Sequence, residues 1–218
     1  GADWQAAGLT HGAGGAFFDV VHQGTKLGRV NLAVGGPHNV ENALGVIALA
    51  TSLGLSIGEI DKGLASFRGV KRRQELRGEP NGVFVIDDFA HHPTAVRETI
   101  AAIGARYPGH GLWAIFEPRS NTSRRNIHQA EYAHAFAGAS RAVIATPMPT
   151  DKVPANEMLD VGKLAKNITA NGVPATAAAD VAQIVALVKA EAKPGDVLLV
   201  MSNGAFGGLI DKLLVALQ

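Results

Sequence analysis

From about residue 81 onward, the sequence alternates short apolar runs with segments of helical periodicity, and this alternation limits the possible folds more than any other feature. The apolar runs predict strands at 83–87, 112–116, 141–145 and 196–201. Helices are predicted at 93–106, 126–138, from Asn156 to about Gly172, from Asp180 to about Ala192, and at 205–217. Short buried strands that alternate with helices are typical of an α/β fold, with a mostly parallel sheet and helices on both faces.

The first 70 residues follow a different pattern. Residues 16–34 predict a β-hairpin that turns at 23–25. Asn39 is predicted to cap a helix over 40–53, and the spacing of Ser56 and Glu59 predicts a capping box for a second helix that ends near Phe67. The basic run 71–73 marks the predicted boundary, so we expect domains at 1–70 and 71–218. A hairpin with two helices is small for an independent domain, which indicates part of a larger one.

Composition excludes several classes of protein. The 20 Lys and Arg residues nearly balance the 19 Asp and Glu residues, so the overall charge indicates neither a nucleic acid nor a membrane surface as partner. The chain has no cysteine, which excludes disulfides and thiolate metal sites and is compatible with a reducing cytosol. No apolar run approaches the roughly 18–20 residues that span a bilayer.

Polar and charged residues follow the predicted strands. The loops read "DDFAHHPT" after the first strand, "EPRSNTSRR" (117–125) after the second, "TPMPTDK" (146–152) after the third and "SNGAFGG" (202–208) after the last. The carboxyl ends of parallel strands meet at one edge of a sheet, where ligands of such folds bind. We therefore expect these four loops to share one rim.

Each candidate residue has a functional and a structural interpretation. Asp88 could accept hydrogen bonds from ribose hydroxyls or only cap a strand end. His91 and His92 are adjacent and point apart, which argues against zinc, so no metal ligand is assigned; one of them could donate to a phosphate or a carboxylate. Arg72 and Arg73 could bind phosphate or form a solvated hinge.

Two further groups of candidate residues also have both a functional and a structural interpretation. Arg119, Ser120, Asn121 and Thr122 are more polar than a minimal turn needs, which suits an anionic substrate with several carboxylates or a flexible surface loop. His38 and Asn39 precede a predicted helix, and Asn42 lies on nearly the same side, where it could bond to a base.

Three of these segments together resemble the Mur ligase family. They are "GGPHNVENA" (35–43), "FRGVKRRQE" (67–75) and "VIDDFAHHPT" (85–94), in this order and at this spacing. The resemblance covers nearly the whole chain and implies a cytoplasmic bacterial enzyme that uses ATP and Mg²⁺ to form amide bonds to UDP-N-acetylmuramate or its peptides. It also implies that 71–218 is a Rossmann-like C-terminal domain and that 1–70 is the end of a central ATPase domain.

The substrates follow from the resemblance in the same way. "HHPT" is similar to the branch that acts on UDP-N-acetylmuramate itself, and "FEPRSNT" (116–122) to the members that attach the tripeptide L-Ala-γ-D-Glu-meso-diaminopimelate during peptidoglycan recycling. Members that add L-alanine tend to read F-Q-P-H-R-Y-T-R there. L-alanine addition and a non-catalytic nucleotide- or peptide-binding module remain as alternatives.

The resemblance also implies residue roles. His38, Asn39 and Asn42 would lie on the adenine side, Arg73 would reach the ATP phosphates, Asp88 would bind ribose, Phe89 would lie near adenine and His91 near phosphate. Arg119, Ser120, Asn121 and Thr122 would recognise the carboxylates of the peptide.

Parts of the family's machinery have no counterpart in this sequence. The Walker A loop and the Mg²⁺-binding acid of the family lie upstream of these motifs, and no GxxxxGK[ST] occurs here. We therefore expect a fragment that is inactive by itself.

Overall fold

The computed structural model describes residues 2–12, 15–67, 69–147 and 152–218. The chain divides into two compact units: unit 1 comprises residues 1–70 with 105–108, and unit 2 comprises 71–104 with 109–218. Within the described ranges, every helix is too short or too polar to cross a lipid bilayer.

Unit 1 is built on a three-stranded antiparallel sheet in the order β1-β2-β3. The strands are β1 (Trp4–Gly12), β2 (Gly15–His22) and β3 (Thr25–Leu32). The predicted hairpin is confirmed as β2 and β3, and its turn residues Gln23 and Gly24 both have the positive φ that a tight two-residue hairpin turn needs. β1 was not predicted, because its sequence lacks a clear apolar alternation.

Two helices follow, α1 (Pro37–Ser52) and α2 (Ile57–Ser66). The prediction that Asn39 caps α1 is wrong: the helix begins at Pro37 with Gly36 at the N-cap, because proline is favoured at the first helical position. The Ser56 and Glu59 capping box of α2 is confirmed in both of its hydrogen bonds. The core of unit 1 joins one face of the sheet to both helices through Phe18, Val20, Ile47 and Ile60.

Unit 2 contains a six-stranded sheet in the order β4-β5-β9-β6-β7-β8. Its strands are β4 (Glu75–Gly78), β5 (Phe84–Asp88), β6 (Leu112–Phe116), β7 (Arg141–Ala145), β8 (Ala175–Ala178) and β9 (Val197–Met201). β4 pairs antiparallel with β5 at one edge, and all other pairs are parallel. Every residue of β6 and β9 is buried, so helices cover both faces of the sheet and the predicted α/β architecture is confirmed.

The helices of unit 2 are α3 (Pro93–Arg106), α4 (Gln129–Ala135), α5 (Val161–Ala170), α6 (Val181–Glu191) and α7 (Leu209–Ala216). The bounds of α3 are as predicted, and Asp180 caps α6 as expected. Asn156 does not begin α5, because it lies in a 3₁₀ turn and Asp160 caps the helix instead. The predicted helices at 126–138 and 205–217 each begin as a 3₁₀ turn before α4 and α7.

Candidate functional site

The parallel register brings three strand ends of unit 2 to one rim. Met201 at the end of β9 lies beside Asp88 of β5 on one side and Phe116 of β6 on the other, and Phe116 lies beside Ile144 of β7. The predicted shared rim is therefore confirmed for the loops that follow β5, β6 and β9. Of the loop after β7, residues 148–151 lie outside the described residues.

Asp88 is the most enclosed candidate on the rim, with only 3% of its surface exposed. One carboxylate oxygen, Oδ2, accepts a hydrogen bond from the Gln74 backbone N–H at 2.9 Å. The other, Oδ1, accepts from the Ala90 N–H at 2.7 Å and from the Thr99 hydroxyl at 3.4 Å. Burial raises the pKa of Asp88, while the two N–H donors and the charge of Arg73 oppose that rise. The carboxylate thus has a structural role whether or not it also binds a ligand.

Arg73 and Phe89 lie together on the same rim. The Arg73 guanidinium carbon lies 5.4 Å from the centre of the Phe89 ring, a cation–π distance. Arg73 is exposed and forms no hydrogen bond with the described part of the chain. An exposed guanidinium beside an aromatic ring can receive both an anion and a flat group.

His91 and His92 have different surroundings. His91 Nδ1 lies 3.0 Å from the Phe89 carbonyl oxygen, so Nδ1 carries the ring proton and the other nitrogen, Nε2, is the one that could meet a ligand. The Tyr132 hydroxyl donates to the His91 carbonyl at 2.6 Å and holds the loop in place. His92 is exposed, its ring meets that of His128 edge-on, and its carbonyl accepts from Val96 at the start of α3.

The loop 119–122 after β6 forms a compact turn. The Ser120 hydroxyl accepts the Ser123 N–H at 3.0 Å, and the Ser120 carbonyl accepts the Arg124 N–H at 3.0 Å. Ser120 is therefore occupied in shaping the turn, whereas Arg119, Asn121 and Thr122 are exposed. The Arg119 side chain lies over the α-carbon of Gly204 in the loop after β9.

The remaining candidates belong to unit 1. Asn39 donates from its side chain to the Gly35 carbonyl at 2.6 Å, while Asn42 is exposed. His38 Nδ1 is buried without a hydrogen-bond partner among the described residues. Asn39 and Asn42 line an otherwise mostly apolar hollow of about 550 Å³ between α1 and α2. A hollow of this size, with a mostly apolar lining and a few polar groups, is typical of small-molecule sites.

The structure also shows what Arg72 does and brings in Asp87, Ser202 and Glu117, to which the sequence interpretation gave no role. The Arg72 guanidinium bonds to Asp87 and to the carbonyls of Ser202 and Gly204, and the Ser202 hydroxyl donates to the Glu117 carboxylate. The residues of each bonded pair lie 15 to 132 positions apart along the chain, so no local sequence motif indicates these contacts. Within the described ranges, no group of three or more His, Asp or Glu side chains could hold a metal ion.

Comparison with known proteins gives this arrangement a family. The family model described as "Mur ligase, glutamate ligase domain" matches residues 72–204, which covers the rim just described and more than half of the chain. The chain therefore belongs to the Mur ligase family, and unit 2 carries the fold of its C-terminal domain.

Among curated relatives, the chain is 39% identical over 212 residues to the UDP-N-acetylmuramate–L-alanyl-gamma-D-glutamyl-meso-2,6-diaminoheptandioate ligase of Escherichia coli K12, covering 97% of this chain and 44% of that protein. The ligase of the same name from Haemophilus influenzae is 37% identical, with 99% of this chain and 45% of that protein covered. The UDP-N-acetylmuramate–L-alanine ligase of Acetivibrio thermocellus is 36% identical, over 93% of this chain and 43% of that protein. The chain thus spans less than half the length of these relatives.

Solved structures agree. A murein peptide ligase from Psychrobacter arcticus is 36% identical with a TM-score of 0.68, over 99% of this chain and 44% of that one. The UDP-N-acetylmuramate–alanine ligase of Thermotoga maritima has a TM-score of 0.81 over 98% of this chain and 45% of that one, but at 21% identity it supports the fold alone.

Proposed function

We propose that this chain is part of an ATP-dependent ligase that joins L-Ala-γ-D-Glu-meso-diaminopimelate to UDP-N-acetylmuramate in bacterial peptidoglycan recycling, in the cytoplasm. The observation that carries the proposal is the grouping of Arg73, Asp88, Phe89 and His91, all from motifs of the family, on one rim of unit 2. Two relatives that act on this tripeptide, 39% and 37% identical, support the choice of substrate.

The chemistry proposed is amide formation through an acyl phosphate. ATP supplies the phosphoryl group that joins the muramate carboxylate; the amino nitrogen of the peptide then attacks the carbonyl carbon, phosphate leaves and one proton is released. Acyl phosphates hydrolyse in water, so the residues around the site must exclude water as well as orient the reactants.

On the rim, Arg73 would contact the phosphates, where its fixed positive charge offsets the charge that develops during phosphoryl transfer. The ring of Phe89 would lie near adenine, and Asp88 would use its remaining acceptor capacity for ribose. His91 can donate to a phosphate from Nε2 only as the imidazolium, because Nδ1 already carries a proton toward the Phe89 carbonyl.

Further roles are proposed outside this group. His38, Asn39 and Asn42 of unit 1 would face adenine. The loop 119–122 would bind the peptide carboxylates, mainly through Arg119, Asn121 and Thr122, because Ser120 is engaged within the turn. Within the described ranges, no group of acidic or histidine side chains is assigned to Mg²⁺.

The test uses the full-length protein that contains this chain. Incubated with ATP, Mg²⁺, UDP-N-acetylmuramate and the tripeptide, it is expected to release ADP and give a product with the mass of the joined amide. The Arg73→Ala variant is expected to lose about 100-fold in turnover, a loss typical of removing one group that stabilises transition-state charge. Turnover like that of the wild type would contradict the role of Arg73.

L-alanine ligation is the second candidate, because an L-alanine ligase is 36% identical over 93% of this chain. The same incubation with L-alanine in place of the tripeptide distinguishes the two by product mass. For this chain alone we expect no ATP turnover. Measurable turnover would contradict the proposal that the chain carries only part of the active site.

A further inference from the structure

The loop 71–74 presents Arg73 in a strained setting. Its two neighbours, Arg72 and Gln74, have φ values of 59° and 50°. Residues other than glycine rarely adopt such left-handed conformations, and they persist only where surrounding contacts hold them. The contacts that hold this loop should therefore be identifiable.

Two consecutive acids at the end of β5 provide those contacts. Asp88 Oδ2 accepts the backbone N–H of Gln74 at 2.9 Å, and Asp87 Oδ2 lies 3.3 Å from Arg72 Nε. Adjacent residues of a strand point to opposite sides, which lets neighbouring acids reach two different points of one loop. The loop is thus held on both sides of Arg73.

Arg72 also ties the loop 71–74 to the loop that follows β9. One of its terminal nitrogens, Nη2, donates to the carbonyls of Ser202 at 2.7 Å and Gly204 at 2.6 Å, and its backbone N–H donates to Glu75 at 2.7 Å. Its guanidinium is therefore committed to protein groups, whereas that of Arg73 is exposed and forms no hydrogen bond with the described part of the chain. Of the two arginines, only Arg73 can meet an anion without first breaking such contacts.

We propose that Asp87 is a positioning residue: through the Arg72 guanidinium it fixes the loop 71–74 and so holds Arg73 over the Phe89 ring, ready for the phosphates of ATP. The identity of the anion rests on the proposed function. The hold on the loop does not, and the two parts are tested separately.

The hold is tested on this 218-residue chain by limited trypsin digestion, because Lys71, Arg72 and Arg73 are themselves trypsin sites. Asp87→Asn is expected to speed cleavage after residues 71–73 by about tenfold, measured by mass spectrometry of the fragments, because cleavage follows the population of the opened loop. Asp87 Oδ2 also lies 3.4 Å from Arg77 Nη1, so the control is Asp211→Asn: it removes the other carboxylate charge beside Arg77, at an exposed position, and Asp211 forms no ion pair with Arg72 within the described ranges. Its cleavage rate should equal that of the wild type.

Arg72→Lys provides a second variant, and it carries this test if Asp87→Asn fails to fold by circular dichroism. Lysine keeps the charge but cannot bond to Asp87 and both carbonyls at once. We expect the same faster cleavage. Wild-type rates in the folded variants would overturn the proposal.

The action through Arg73 is tested in the full-length enzyme by a double-mutant cycle on kcat/KM for ATP. A misplacement of about 1 Å can cost about 100-fold, so Asp87→Asn is expected to lose roughly 10- to 100-fold. Combined with Arg73→Ala, it should lose no more than Arg73→Ala alone. Losses that multiply would overturn the link between Asp87 and Arg73. Wild-type activity of Arg73→Ala would instead refute the proposed ATP contact, while the trypsin result still decides whether the loop is held.

Discussion

The two units differ in how far their candidate polar side chains are bonded to other protein groups. At the rim of unit 2, the carboxylates of Asp87 and Asp88 and the guanidinium of Arg72 are bonded to other protein groups. In unit 1, Asn42 lies exposed beside a mostly apolar hollow, and His38 Nδ1 has no partner among the described residues. These three rim side chains are therefore held in place before a ligand arrives, whereas the exposed Asn42 side chain of unit 1 can still reorient.

The two units also differ in how far their strands and helices are buried. The central strands of unit 2 are covered on both faces, while β1 of unit 1 is mostly exposed. Val46 and Leu49 of α1 and the residue that follows the helix, Leu53, are also exposed. Each unit carries one tryptophan, Trp4 in unit 1 and Trp113 in unit 2. Fluorescence of variants that keep one of them can therefore follow each unit by itself.

The largest effect is expected for Phe116→Ala in β6. Phe116 is fully buried against Tyr132 and Phe136, so its removal leaves a cavity and should lower the free energy of unfolding by about 3–5 kcal/mol. Urea unfolding followed through Trp113, in a Trp4→Phe background, measures the loss.

A substitution at an exposed position of unit 1 gives the contrasting result. Leu53 is 72% exposed, so Leu53→Ala should change stability by no more than about 0.5 kcal/mol when followed through Trp4 in a Trp113→Phe background. Similar losses at the two sites would refute the contrast in burial.

A smaller effect is expected for Tyr132→Phe, which removes only the hydroxyl that donates to the His91 carbonyl. The loss should be about 1–2 kcal/mol, because a part-buried acceptor is left without its donor. Burial raises the pKa of Tyr132, so the hydroxyl stays protonated through neutral pH and is lost as a donor only above its ordinary range. The difference from the wild type in urea unfolding should therefore be constant between pH 6 and 9. A difference that shrinks with rising pH in this range would contradict it.

The contact between Arg119 and Gly204 gives a functional prediction. A β-carbon at Gly204 would collide with the Arg119 guanidinium, an exposed and flexible group that can move away. In the full-length enzyme, Gly204→Ala should raise the KM for the tripeptide about fivefold and leave the KM for ATP unchanged, a loss of about 1 kcal/mol of binding.

Gly104→Ala is the control for that change. It adds the same methyl group inside α3, where no described residue outside the helix's own backbone lies within 4 Å of the added carbon, so both KM values should remain those of the wild type. An unchanged tripeptide KM in Gly204→Ala would argue against Arg119 as a peptide contact.

The smallest effect concerns the exposed capping box of unit 1. The hydrogen bonds from the Ser56 hydroxyl and N–H lower the pKa of Glu59 below its ordinary 4.5. A lowered pKa means that the ionised form stabilises the fold above pH 4.5 and that this stabilisation is lost as the pH falls through the lowered value. Between pH 7 and pH 3, the wild type should therefore lose slightly more thermal stability than Glu59→Gln. Equal losses would show that the ionised carboxylate contributes nothing.

How far the sequence predicts the fold depends on how much of each element is stabilised locally. β5, β6, β7 and β9 were predictable within a residue or so, because each is a continuous apolar run between turn residues. β4 (ELRG) and β8 (ATAA) were missed, since neither sequence favours a strand and each owes its conformation to pairing at an edge of the sheet. The start of α1 was misplaced because Pro37 outweighs Asn39 as a start signal.

The candidate site shows the same limit. Strand ends of a parallel sheet predict where polar loops meet, and the rim follows that prediction. The sequence does not tell which of two adjacent arginines is committed to protein groups, because the partners of Arg72 come from β5 and from the loop after β9. Long-range hydrogen bonds of this kind have no local pattern to detect.

The place of β9 has a consequence for how the protein is made. Among the described residues this strand is the last, yet it lies between β5 and β6, which come well before it in the sequence. While a ribosome synthesises the chain, the edges of β5 and β6 that pair with β9 remain unpaired until residues 197–201 emerge. Chaperones that shield such edges are therefore most useful to this protein before residues 197–201 have left the ribosome.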